Sequence, residues 1–249
     1  MTTADHRTRT MPEAHQLAAA ARSILACPES VNLVVDGVPE VLDGQDEVGM
    51  QDVHGTPTFL CPIGSALSEA AAHHRSALIT VESGLGLPGA PERRDTLTLA
   101  GRLEVRDRQE CDCCAEMRDL VALDLNFVLL ARYPTTPGPD GRPEAQYRVP
   151  LDPFSSPAHD LNRGYLQRSV EHANNCHQDE LRRAVATTAD TPMVEVVGVT
   201  LTNLSAGGVE IRWVDLTGAH RSVLTFQRPA SSMAELADLL REKLHAGLC

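Results

Sequence analysis

Arg94-Asp-Thr-Leu-Thr-Leu-Ala-Gly-Arg-Leu-Glu-Val105 is the stretch on which the architecture turns. Leu97, Leu99, Leu103 and Val105 fall on one parity with Gly101 between them, and threonine, arginine and glutamate fall on the other. That alternation predicts a long half-buried strand. A glycine inside it predicts a bulge or a bend. Towards the N-terminus, Ser76-Ala-Leu-Ile-Thr-Val-Glu82 is a β-branched run followed by a Gly/Pro-rich loop from Ser83 to Pro91. Farther back, the runs VNLVVDG and TPTFLC lie between Val31 and Cys61, broken by Asp-Gly and His-Gly pairs that suit antiparallel strands. Pro12 to Ala26 and Ser65 to His74 read as helices. Towards the C-terminus, residues 114 to 123 read as a helix. Phe127–Tyr133 and Gln146–Leu151 then read as strands flanking the polar connection PTTPGPDGRPE. About six strands with few intervening helices favour a small antiparallel barrel over a βαβ fold.

The composition changes at Pro153-Phe-Ser-Ser-Pro-Ala-His159, a Pro/Ser stretch that suits a linker. The expected organisation is a barrel over residues 1–152, a linker over 153–165 and a second domain over 166–249. In that domain a helix is followed by strands at Met193–Thr202, Gly208–Asp215 and Ser222–Phe226. A last helix opens on the capping box Ser232-x-x-Glu235 and carries Met233, Leu236, Leu239, Leu240 and Leu244 on one face. The fold class is therefore α+β, an antiparallel split barrel followed by an α-β-β-β-α domain.

Composition narrows the function. With 42% hydrophobic residues among 249, the chain can build a sizeable core. No run approaches the ~18 apolar residues of a membrane span, and MTTADHRTRTMPEAHQ lacks a signal-peptide stretch, so the expected location is cytoplasmic and no membrane partner is expected. A net charge of -12 opposes phosphate neutralisation, which argues against nucleic acid. Lys243 is the sole lysine and sits near the C-terminus on an expected surface helix, which argues against Schiff-base chemistry. No Ser-His-Asp signature, P-loop or dinucleotide fingerprint is present.

Three groups of residues carry chemistry. In His172-Ala-Asn-Asn-Cys176-His177-Gln-Asp179-Glu180-Leu181, two imidazoles and a thiol enter an amphipathic helix. Val170, Ala173, His177, Leu181 and Ala184 repeat at spacings of three and four, so His177 points from the apolar stripe towards a core or a cofactor. Cys176 lies about 100° round from it and His172 farther still, unless Asn174 caps a fresh helix after a bend. A buried histidine that merely satisfies its ring nitrogens against backbone competes with a ligand role. Cys111-Asp-Cys113-Cys114 places thiols before the expected helix N-terminus, where the dipole activates them. A C-x-x-C pair can serve zinc, an iron–sulfur cluster or redox chemistry, but a closed site needs two more ligands, for which Cys176, His177 and Cys249 are candidates. Free, partly buried thiols are the competing reading. His73-His74-Arg75 follows a helix, and at most one of its imidazoles could reach a shared pocket.

Taken together, Cys61-Pro-Ile-Gly-Ser65-Ala-Leu-Ser68-Glu69, Ser76-Ala-Leu-Ile-Thr-Val, Asp95-Thr-Leu-Thr-Leu-Ala-Gly101-Arg102 and the segment Ala173–Leu181 resemble the HugZ-type branch of the pyridoxamine-phosphate-oxidase-like, FMN-binding split barrels with their small C-terminal domain. The C-terminal segment resembles that domain's Asn-x-Asp-His-x-Asp-x-Leu signature, with Cys176 where the family usually has aspartate. The resemblance implies a homodimer associated with haem or flavin, acting in haem degradation or handling. It also implies an alternative, a non-catalytic module that binds an enzyme of tetrapyrrole metabolism. His177, with His172 second to it, is the expected iron ligand, and Asp179 or Glu180 could orient its other nitrogen. An FMN-dependent oxidoreductase would draw on Ser65, Ser68, Arg75 and Arg102 for the phosphate. The missing Arg–Lys pair and a total of eight aromatic residues (one Trp, three Tyr and four Phe) weigh against FMN.

Overall fold

The computed structural model of the chain describes residues 11–39, 49–110, 116–134, 143–189 and 191–244. These form two compact units, Met1–Gly164 and Tyr165–Cys249. The first is a strongly curled, half-barrel antiparallel sheet with helices, and the second is built on a smaller three-stranded sheet. The α+β reading holds.

The first unit opens with helix α1 (Met11–Ala26), followed by strands β1 (Pro28–Val35), β2 (Met50–Val53) and β3 (Thr56–Pro62) and helix α2 (Ala66–Ala72). Strands β4 (Ser76–Ser83), β5 (Thr96–Glu110), β6 (Met117–Arg132) and β7 (Ala145–Arg148) complete the sheet, and the short helix α3 (Leu151–Phe154) comes next. The strand order is β1-β4-β5-β6-β3-β2, with β7 on the C-terminal half of β6. Inward rows run straight across it: Ile79, Leu99 and Val128 are register partners, as are Val81, Leu97 and Leu130, and all six are fully buried. Each such side chain contributes about 1.5–3 kcal/mol of burial free energy. Alternation on β5 lasts through Leu103, which is why it was readable.

Gly101 has a steric reason to be glycine. A Cβ there would lie 2.0 Å from the carbonyl oxygen of Asp124 on β6. The register shifts at this point, leaving Asn126 of β6 as an extra residue, and shifts back at Arg106 of β5. The bulge sharpens the curl of the two longest strands.

The expected helix over 114–123 is a correction: from Met117 onward this stretch is the first half of β6. β6 is central, paired to β5 on one side and β3 on the other, and Val121, Ala122 and Leu123 are all buried. Burial on both faces erases the two-residue period, and the bulge at Asn126 changes the parity of the second half of the strand.

α1 lies against the sheet with Leu17, Ala18, Ala21, Ile24 and Leu25 buried. Arg22 is buried with them, 1% exposed. Its Nε donates to Asp52 at 3.0 Å, one terminal nitrogen donates to Asp160 at 2.8 Å, and the other donates to the carbonyl of Phe154 at 3.1 Å. His54 reaches the second oxygen of Asp160 at 2.7 Å. Phe154, within the Pro/Ser stretch, is itself fully buried in this core.

The second unit is entered along helix α4 (Arg163–Cys176), continues with α5 (Gln178–Ala189) and strands β8 (Gly198–Ser205), β9 (Gly208–Asp215) and β10 (Gly218–Thr225), and closes with α6 (Met233–Leu244). Strand order is β10-β9-β8. Leu181, Val185, Val199, Leu201, Val209 and Ile211 form its core. Residues 193–195, expected to start a strand, form a 3-10 turn behind Pro192. The capping box is shifted by one residue: Ser232 Oγ accepts from Glu235 N at 3.2 Å, while the Glu235 carboxylate accepts from Ser231 N at 2.7 Å. No helix among the described residues is long and apolar enough to cross a membrane.

Candidate functional site

The segment His172–Leu181 does not run as one helix. α4 ends at Cys176 and α5 starts at Gln178, with His177 at the junction. The ladder still bridges it, since His177 N donates to Ala173 O and Leu181 N to His177 O, both at 3.0 Å. In an unbroken helix, positions 172 and 177 would lie roughly 140° apart. The break brings the two imidazoles together: their Nε2 atoms are 3.2 Å apart, with ring centroids at 5.1 Å and an edge-on angle of 71°. One ring donates this hydrogen bond and the other accepts it. His177 is 9% exposed and its Nδ1 lies 3.9 Å from Glu180, beyond hydrogen-bond length.

The neighbouring polar residues of the segment do something else. Asn174 clasps the backbone of Leu201, donating to its carbonyl at 3.0 Å and accepting its N–H at 2.8 Å. Gln178 donates to Val199 O at 3.0 Å and Arg182 to Val196 O at 2.9 Å. Spaced four apart along the helices, Asn174 and Gln178 satisfy the outer edge of β8 and Arg182 the turn that leads into it, where backbone groups would otherwise be free. Thus Asn174 and its partners bind the helices to the sheet, and the histidines are left to face elsewhere.

They face a cavity of about 340 Å3 inside the second unit. Tyr165, Arg168, Ser169, His172 and Ala173 line it from α4, and Leu236, Ala237 and Leu240 from α6. Tyr165, Arg168 and His172 share one helical face by their spacing of three and four. Arg168 is exposed and has no acidic partner among the described residues. The cavity thus offers imidazole nitrogen, one guanidinium and an apolar floor.

The other expected ligands are elsewhere or committed. Ser65 caps α2, accepting from Ser68 N at 3.3 Å. Ser68 donates its hydroxyl to the buried carboxylate of Asp119 at 2.7 Å, and Arg108 donates to the other oxygen at 2.9 Å. The Ser68 hydroxyl, then Arg108, hold the Asp119 carboxyl below the usual range. Arg75 lies past the far end of α2, and Arg102 lies on β5 opposite Ser76, both exposed. Ser65 and Arg75 flank a helix about 10 Å long and Ser68 is committed to Asp119, so this set lends FMN no support. Cys176 is an exposed free thiol. Cys111, Cys113, Cys114 and Cys249 lie outside the described residues. Among the described residues no three His, Cys, Asp or Glu side chains are grouped to hold a metal ion.

No protein-family model matches the chain, and no curated protein matches it. Among solved structures it is similar to a haem-binding protein from Mycobacterium smegmatis, with 16% identity over 92% of this chain and 96% of that one and a TM-score of 0.37. It is also similar to a protein of unknown function from Agrobacterium tumefaciens str. C58, with 18% identity over 97% of this chain and 100% of that one and a TM-score of 0.34. Likeness at this level assigns neither ligand nor activity.

Sequence reasoning missed Tyr165 and Arg168, although their spacing to His172 was visible. It also missed the Arg22 cluster, whose members lie 30 and 138 positions apart in the chain. No local pattern announces such a cluster.

Proposed function

We propose that the chain binds haem or a related tetrapyrrole at the histidine-lined cavity of its second unit, and serves haem handling. The observation that carries this is the pair of imidazoles on the wall of an apolar cavity, whose mutual Nε2 hydrogen bond at 3.2 Å must open to free one lone pair for iron. A neutral imidazole supplies an axial lone pair to iron, and an apolar floor suits a macrocycle. At about 340 Å3 the cavity is at the small end of ligand sites, roughly 300–1,000 Å3, and suits the edge of a macrocycle rather than its whole disc. His177 is the first candidate for axial ligand because it is the more buried ring, and His172 is the second. Arg168 is placed to pair with a carboxylate of the ligand.

Titration of the full chain with haemin, monitored through the Soret band, tests this. His177→Ala is expected to shift the band and weaken binding at least about tenfold, with a smaller loss for His172→Ala. Wild-type protein that takes up no haemin sinks the reading. Unaltered spectra in both variants sink the ligand assignment even if haemin binds.

A further inference from the structure

The first unit holds a larger cavity, of about 580 Å3, near the middle of the range for small-molecule sites, roughly 300–1,000 Å3. Ala20 and Ile24 of α1, Leu130 of β6 and Leu161 give it apolar wall. Its charged wall is unbalanced. Glu92, Asp95 and Glu144 face Arg132 and Arg163, three carboxylates against two guanidiniums. Arg163 is engaged with Glu92 at 3.3 Å, and the Arg132 guanidinium lies over the ring of Tyr147, 5.9 Å from its centroid.

Asp95 is the group left underserved. It is fixed at both backbone ends, its N–H donating to Glu92 O at 3.2 Å and its carbonyl accepting from Ser83 N at 3.0 Å. Its Oδ1 accepts one hydrogen bond, from Tyr133 N at 3.2 Å, and its Oδ2 meets no donor among the described residues. Burial accordingly pushes its carboxyl above the usual range, against the opposing pull of the Tyr133 bond and Arg132. A half-buried carboxylate with one donor and an open oxygen on a cavity wall is poised for a cation. An anion attracted to Arg132 would instead meet the Asp95 and Glu144 carboxylates.

The geometry points to a binding site in this cavity for a small apolar molecule carrying a protonated amine, its ammonium donating to Oδ2 of Asp95 and its apolar body lying against Ala20, Ile24, Leu130 and Leu161. The site lies wholly in the first unit and shares no residue with the histidine cavity, so it stands or falls independently of tetrapyrrole binding.

Calorimetric titration of the full chain at neutral pH with 2-phenylethylamine and, separately, 3-phenylpropionate tests it. Saturable 1:1 binding of the amine is expected, with the carboxylate at least about tenfold weaker. Asp95→Asn keeps an oxygen for Tyr133 N–H and is expected to weaken the amine by roughly 10- to 100-fold, the equivalent of one charge-assisted hydrogen bond. Ala20→Phe fills the cavity and is expected to abolish binding, with thermal unfolding confirming that both variants fold. The proposal is overturned if the amine shows no saturable binding, if Asp95→Asn binds it as well as wild type, or if the carboxylate binds more tightly, which would make Arg132 the anchor.

Discussion

The two units use polar chemistry to hold their helices in different ways. The first places a full charge in its interior: Arg22 is sealed under α1 and answered by Asp52, Asp160 and the Phe154 carbonyl. The second also buries a carboxylate, Glu210, met by Arg212 and Arg221, but it ties its helices to the sheet mainly with neutral amides, Asn174 and Gln178 on the outer edge of β8, with one guanidinium, Arg182, beside them. A buried ion cluster joins distant parts of the chain but leaves a charge stranded if one member is lost. An amide row loses only local hydrogen bonds, and it leaves the adjacent imidazoles facing the cavity. Polar residues close together in one motif can therefore face different surroundings: Asn174 meets β8, and His177 meets the cavity.

The comparison breaks most sharply at Arg22. Arg22→Met should strand Asp52 and Asp160 and destabilise the first unit by about 3–5 kcal/mol. Trp213 is the sole tryptophan and belongs to the second unit, so its fluorescence transition separates the two effects. The loss should be seen by circular dichroism, and a shift confined to the Trp213 signal would contradict the role given to Arg22. Asn174→Ala should be next in size, costing the second unit about 2–3 kcal/mol because the N–H and C=O of Leu201 lose their partner. Here the Trp213 transition in urea should move, and an unchanged midpoint would remove Asn174 from the edge-sealing row.

Mild acid, between pH 7 and 5, should give the smallest effect, in the first unit. Burial, then the neighbouring His15 and Arg22, hold the His159 pKa below the ordinary 6.5 despite the opposite pull of Asp160. The unfolded chain therefore takes up the proton first, and stability contributed by neutral His159 is lost as pH falls from about 6.5 towards its lowered folded value. Asp52 has the opposite sign, since burial raises its pKa above 3.8, and its contribution grows in acid at lower pH. Melting curves between pH 7 and 5 should show a decline in the first unit that His159→Gln flattens. An equal slope in the variant would assign the decline to other groups.

Much of the fold was legible because its signals are local. Alternation on β5, the loops around it, the capping box near Ser232 and the apolar stripe through Leu181 each depend on residues a few positions apart. β6 was misread over its first half because central burial hides the two-residue period, and no local cue marks a bulge at Asn126. In the candidate site, sequence alone singled out His172, Cys176 and His177 and placed His177 inward.

Arg94–Val105 by itself determined a long half-buried strand with a special glycine, because side-chain alternation and the absence of a Cβ are properties of the chain. Only the tertiary structure decided why Gly101 must be glycine, since the atom it accommodates is the Asp124 carbonyl of a neighbouring strand. In the same way, composition and spacing supplied two histidines, but their meeting at 3.2 Å was decided by the break at His177, with Asn174 and Gln178 holding the flanking helices against β8. Local periodicity specifies which face a residue occupies, and only packing between elements specifies what that face meets.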